Sequence, residues 1–215
     1  MKKRTLYFNK IELFLWIISI FLNIISFLLF NNNSFISLIA SIIGVTSLIF
    51  NAKGNPIGQF LMIIFSILYG IISYTFSYFG EMITYLGMTL PMAILALVSW
   101  IKNPYNGNIS EVKVNTLKYK EILFMFALSI IVTIMFYFVL LYFNTPNLLF
   151  STLSITSSFI AAYLTARRSP YFAVAYAIND IILIILWILA SIKDNSYLCI
   201  VVCFIVFFIH KFIFF

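Results

Sequence analysis

Residues 167–187, Arg-Arg-Ser-Pro-Tyr-Phe-Ala-Val-Ala-Tyr-Ala-Ile-Asn-Asp-Ile-Ile-Leu-Ile-Ile-Leu-Trp, run from a basic, proline-containing turn into an apolar stretch broken by one amide and one carboxylate. About 20 predominantly apolar residues suffice for a helix to cross a bilayer. Counted from Pro170, Asn179 and Asp180 fall about halfway across. A carboxylate at that depth costs roughly 2.5–3.5 kcal/mol on insertion scales, so it persists mainly where it faces a cavity or a partner. This stretch therefore reads as a membrane helix with a functional centre.

The turn that opens it has a counterpart upstream. A shift of 114 residues lays Ala52-Lys53-Gly54-Asn55-Pro56 on Ala166-Arg167-Arg168-Ser169-Pro170. Working outward, the chain divides into eight apolar runs at 11–30, 34–51, 57–79, 82–101, 121–143, 148–166, 170–192 and 196–215. The same shift superposes runs two to four on runs six to eight and leaves run five as a linker. The repeats start an even number of spans apart, so they share one orientation. Parallel repeats are a known transporter plan, with the substrate site near midplane between them. The expected organisation is a cytoplasmic tail and extra helix over 1–33, a three-helix repeat over 34–102, a cytoplasmic loop and linker helix over 103–147, and a second three-helix repeat over 148–215. The class is all-α and polytopic, with about eight transmembrane helices in a 3+1+3 repeat plus one.

Composition agrees. Of 215 residues, 64% are hydrophobic and 9% charged, against about 45–50% and about 25% in soluble domains. The net charge of +7 does not require nucleic acid, because Lys and Arg gather in cytoplasmic loops of membrane proteins. With the N-terminus inside, Lys2, Lys3, Arg4, Lys10, Lys53, Lys102, Lys113, Lys118, Lys120, Arg167, Arg168 and Lys211 fall on the cytoplasmic side, which leaves only Lys193 of 13 basic residues outside. A wrong helix count would destroy this segregation, so both termini are read as cytoplasmic. A signal peptide over residues 1–30 is the rival reading. Its apolar stretch is too long and offers no small-residue cleavage site.

Tyr176, Asp180, Leu183 and Trp187 recur at helical spacing on one face, with Asn179 beside them. An aromatic plane, an amide and an acid suit a ligand with a flat ring and hydroxyls; a structural interhelical hydrogen-bond cluster is the competing reading. A second stripe, Gln59, Ser66, Tyr69 and Ser73, lies on helix three, and the shift matches Ser66 with Asp180 and Ser73 with Trp187. Helices three and seven are thus expected to oppose each other across the pseudo-symmetry axis, although Ser and Gly also serve close helix packing. On helix four Thr84, Tyr85 and Met88 share one side with Glu81, which is placed near the outer interface. His210, at the inner end of helix eight, has an interfacial role as its default. Cys199 and Cys203 lack companions for a metal site and read as apolar filler. The serines and threonines of 151–158 have no base to activate a nucleophile, and no phosphate-binding glycine loop occurs. No catalytic residue, metal or cofactor is expected.

The strings NPIGQFLMIIFSILYGIISY, YFGEMITYLGMTLPMAILALVSWIKNP and RRSPYFAVAYAINDIILIILW resemble the two repeat signatures of the PnuC nicotinamide riboside transporters, over roughly 34–215. That family's plan is similar to the SWEET sugar transporters. The resemblance implies uptake of nicotinamide riboside across a bacterial cell membrane by facilitated diffusion, trapping by a cytoplasmic nucleoside kinase, and a homotrimer. Many relatives carry Trp where this chain has Tyr176. Sister branches take up thiamine or riboflavin, so a transporter or capture subunit for another vitamin stays open. A capture subunit would depend on a separate energising complex; the parallel repeat and single central acid favour a permease.

Overall fold

The computed structural model describes residues 7–30, 35–75 and 78–214; Lys2, Lys3, Arg4 and the turn 31–33 lie outside them. Eight apolar helices occur among the described residues: α1 (Lys10–Phe30), α2 (Phe35–Ala52), α3 (Pro56–Thr75), α4 (Phe79–Ile101), α5 (Tyr119–Tyr142), α6 (Leu148–Ala166), α7 (Phe172–Ser191) and α8 (Leu198–Phe214). The first seven are long and apolar enough to cross a membrane, and α8 is a shorter apolar helix. Spanning segments are helical because only there does each backbone group find its partner within the segment.

Apolar residues cover the outside as well as the core. The α5 helix buries only Met125, Ser129, Phe136 and Leu140 and exposes Leu123, Phe124, Ile130, Ile131, Ile134 and Phe138. An outward face of that kind needs lipid or protein cover. By contrast α6 buries Ser151, Ser154, Ala161, Ala162 and Thr165. These small residues let it approach α5 and α7 closely. One apolar cluster gathers Phe65, Tyr69, Tyr85, Trp187, Phe204 and Phe207 from α3, α4, α7 and α8. Another joins Met88, Phe136, Leu140, Ile155 and Phe159.

Both basic turns close a helix in the same way. After α2, Asn55 N–H donates to Phe50 C=O and Gly54 N–H to Asn51 C=O, each at 2.9 Å. After α6, Ser169 N–H donates to Leu164 C=O and Arg168 N–H to Thr165 C=O, again at 2.9 Å. This is the Schellman pattern, which satisfies the last carbonyls of a helix through one left-handed residue. Each turn also carries an ion pair. Lys53 Nζ lies 2.6 Å from Glu12 Oε1 on α1, and Arg167 pairs with Glu121 on α5. Both glutamates also cap their own helices: Glu12 Oε2 accepts from Asn9 N–H at 2.8 Å, and Glu121 Oε2 from Lys118 N–H at 3.1 Å.

The connection between α4 and α5 is more ordered than a linker reading implies. Pro104–Tyr105 and Asn108–Val112 form an antiparallel hairpin, turning through Asn106 (φ 48) and Gly107 (φ 78), the residue pair that favours such turns. From the last hairpin residue, Val112 N–H donates to Gly54 C=O at 2.9 Å, and beyond the hairpin Asn115 N–H donates to Arg168 C=O at 3.0 Å. One connection therefore ties together both basic turns.

Within α4, Tyr85–Thr89 form a π-helical turn. Pro91 has no N–H to donate to Gly87 C=O, so the regular ladder breaks there and an extra residue is accommodated.

Candidate functional site

Between α2, α3, α4, α6, α7 and α8 lies a partly open cavity lined by aromatic and polar side chains. The openings of α3 and α7 and the end of α8 line it through Gln59, Phe172, Ala173, His210 and Lys211, joined by Asn51 and Ala52 from the end of α2. The cavity therefore sits toward the end of the molecule that carries the basic turns.

Five of the residues singled out from the sequence line it together: Gln59, Tyr85, Tyr176, Asn179 and Asp180. Helices α3 and α7 do contribute to one cavity, Gln59, Met62 and Phe65 from one and Tyr176, Asn179, Asp180 and Leu183 from the other. Two amides hold complementary postures. Asn179 Oδ1 accepts from the hydroxyls of Ser157 and Ser158, both at 2.8 Å, which leaves its Nδ2 to donate. Gln59 Nε2 donates to Asn51 Oδ1 at 2.8 Å, which leaves its Oε1 to accept. Tyr85 and Tyr176 supply aromatic walls, with Phe65, Phe204 and Phe207.

Ser66, Tyr69, Ser73, Thr84, Met88 and Trp187 do not reach the cavity wall. Ser66 is fully buried, and its hydroxyl donates to Met62 C=O within its own helix at 2.8 Å. Thr84 likewise donates to Gly80 C=O at 2.9 Å. Met88 joins the cluster with Phe136 and Leu140, because the π-helical turn rotates it away from the face that Tyr85 and Thr89 present. Tyr69 packs against Tyr85, the rings tilted by 41° with centroids 4.2 Å apart. Trp187 packs against Tyr78 at 5.1 Å, Tyr197 at 5.6 Å and Tyr69 at 6.2 Å. Eleven residues separate Trp187 from Tyr176, about 16 Å of helix rise, so a stripe drawn along α7 runs past the far end of the cavity. Ser73 Oγ, Tyr69 OH, Trp187 Nε1 and Glu81 Oε1 are buried without a hydrogen-bond partner.

Three ionisable residues are more buried than a place near a helix end implies. Lys211 is not a surface charge: it is 8% exposed, and its Nζ donates to Asp180 Oδ2 at 2.5 Å. It must be withdrawn from the set of loop charges. His210 is 2% exposed, not interfacial, and its Nε2 lies 2.6 Å from Ser19 Oγ on α1. Glu81 stays in the first turn of α4, at the end where the sequence places it, but is 1% exposed. In each case a helix end taken from hydropathy folds inward against a neighbour. The side chains at the cavity that the sequence did not place there are Lys211, Asn51 and the two serines that bond Asn179. Helical spacing between Lys211 and Phe207 was the signal for the first; the others belong to contacts between helices that no spacing reports.

Residues 34–215 match the sequence model of the nicotinamide mononucleotide transporter family. Over 171 residues the chain is 26% identical to the nicotinamide riboside transporter PnuC of Neisseria mucosa. That match takes in 78% of this chain and 65% of the relative's length. In three dimensions the chain is similar to the crystal structure of the vitamin B3 transporter PnuC, with a TM-score of 0.75 at 21% identity over 96% of this chain and 92% of the other.

Proposed function

The chain belongs to the nicotinamide mononucleotide transporter family, and from that premise we propose that it takes up nicotinamide riboside across a bacterial cell membrane by facilitated diffusion. The observation that carries the proposal is the pair of amides beside the acid in an aromatic cavity. A carboxamide has one donor group and one acceptor, and Gln59 Oε1 and Asn179 Nδ2 offer it the converse. Asp180 complements the pyridinium charge or accepts from the ribose hydroxyls, while Tyr85 and Tyr176 flank the flat ring.

The repeats 34–102 and 148–215 form two similarly oriented halves around this path, preceded by the extra helix within 1–33 and separated by the loop and linker helix of 103–147. The matched Schellman turns and ion pairs support that division. With both termini cytoplasmic, the basic turns face the cytoplasm and the cavity opens inward. Ser66, Tyr69, Ser73, Thr84, Met88 and Trp187 then belong to the closed outer half of the path and meet substrate when that half opens. The unpartnered polar atoms of Tyr69, Ser73 and Trp187 support this assignment, since a buried polar group without a partner costs free energy that a passing ligand can relieve. Phosphorylation by a cytoplasmic nucleoside kinase traps the imported nucleoside, and the transporter assembles as a homotrimer.

Purified protein in liposomes tests the proposal. Nicotinamide riboside should equilibrate across the bilayer with no partner protein, and collapse of an imposed proton gradient should leave its final distribution unchanged. Uptake that requires an added energising complex would instead identify a capture subunit.

A further inference from the structure

Asp180 already holds a cation, and the chain itself supplies it. Lys211 Nζ sits 2.5 Å from Asp180 Oδ2, with only 7% and 2% of the two side chains exposed. The same ammonium lies 5.0 Å from the centroid of the Tyr176 ring and 5.6 Å from that of Phe207. A position within reach of two aromatic rings and one carboxylate is a site for a cation, since aromatic rings attract positive charge over their faces. All four residues line the cavity. The lysine and a ring cation need the same acid and the same aromatic face.

We propose that Lys211 is a tethered competitor for the cation site, displaced from Asp180 each time an aromatic-ring cation binds. The inference rests on the functional reading above for its natural ligand, and on the Lys211–Asp180–Tyr176 geometry for its mechanism. In the empty cavity the pair is neutral, so no isolated charge is left in a low-dielectric interior. When the ligand's cation takes Asp180, the flexible four-carbon stem lets the ammonium swing toward the end of α8, where a lysine can reach a polar boundary. The apparent affinity is then the intrinsic affinity reduced by the fraction of time Asp180 is free of Lys211. Release toward the side on which the cavity opens is assisted by the returning lysine. A neutral ring of the same shape does not compete for the acid, so its affinity is independent of the lysine.

Calorimetric titration of the purified full chain tests this with two ligands, nicotinamide riboside and its neutral-ring 1,4-dihydro form. Lys211→Met should bind nicotinamide riboside about tenfold or more tighter than the wild type, the competitor having been removed, while the dihydro form changes by less than about twofold. Lys211→Gln, which still donates to Asp180 but carries no charge, should do the same and covers the case in which the methionine variant fails to fold. Weaker binding of nicotinamide riboside in both variants would make Lys211 a supporting contact and overturn the proposal. Equal tightening for both ligands would show only a widened cavity, and would also overturn it. So would binding of nicotinamide mononucleotide that depends on Lys211, which would make the lysine an anion contact. If the wild type binds no nicotinamide riboside, the functional reading fails instead. The lysine is then tested on a simple ring cation, N-methylpyridinium: larger thermal stabilisation of Lys211→Met than of wild type upholds the tether, and equal stabilisation refutes it.

Discussion

Gly54 and Arg168, 114 residues apart in the chain, hold the same left-handed backbone conformation at the ends of α2 and α6, with φ of 65 and 60. Glycine adopts this conformation freely, whereas a residue with a Cβ pays about 1–2 kcal/mol. The two turns are thus matched in geometry but not in strain. Arg168→Gly should raise stability by about 1 kcal/mol, because the bond its side chain forfeits, from Nη1 to Lys113 C=O, is long at 3.4 Å. Gly54→Ala should lower stability by about 1–2 kcal/mol, since the added Cβ would also come within 3.2 Å of Val112 Cγ1. Thermal unfolding in detergent measures both; a stabilised Gly54→Ala would count against the shared turn geometry.

Trp187 and Tyr176 lie on one stripe of α7 but in different surroundings. Trp187 is fully buried among aromatic rings, and Trp187→Ala should cost about 3–5 kcal/mol of stability. Tyr176→Ala removes a cavity wall and should weaken ligand binding by about 1–3 kcal/mol, the scale of ring stacking on aromatic side chains. Binding measured on folded protein should therefore suffer more from Tyr176→Ala than from Trp187→Ala. The reverse order would move the ring site toward Trp187.

Much of this was legible from residue order. The apolar runs marked all eight helices, since hydropathy over about 20 residues reports a bilayer crossing directly. Asp180 was legible because a carboxylate is costly at midplane. Lys211 was not, because a lysine near a helix end is ordinarily solvated and only the fold of α8 against α7 turns it inward. The placement of Met88 failed on a local rule: strict helical spacing omits the π-helical turn, although Pro91 signals a break. Asn106-Gly107 carried a plain hairpin signal that a linker reading passed over. The posture of Asn179 depends on Ser157 and Ser158 from another helix, which periodicity along α7 does not encode.

Those two serines permit a direct test of preorganisation. Each hydroxyl donates to Asn179 Oδ1, so either alone can hold the amide with Nδ2 toward the cavity. Ser157→Ala and Ser158→Ala should each weaken ligand binding by less than about 1.5-fold, while the double variant should lose about tenfold, close to one lost hydrogen bond. Strictly additive single effects, read from titrations, would remove the orienting role.

Accessibility along α3 separates the open and closed parts of the path. After replacement of the buried thiols Cys199 and Cys203, Met62→Cys should react with a permeant thiol reagent and be protected by nicotinamide riboside, because residue 62 lines the cavity. Ser66→Cys, one turn further on and fully buried, should react slowly. Fast, ligand-insensitive labelling at both positions would contradict the cavity boundary.

The central claim is that this cavity reads the carboxamide of a pyridinium nucleoside through Gln59 and Asn179. Calorimetric titration of the purified protein with nicotinamide riboside and with nicotinic acid riboside tests it most directly, since the two ligands differ only in replacing the amide with a carboxylate that has no N–H to donate. A site built around a ligand donor rejects an analogue that lacks it, and here the discrimination should be at least about tenfold. The amide should show saturable single-site binding and the acid markedly weaker binding. Equal affinity for the two, or no binding of the amide, would contradict it.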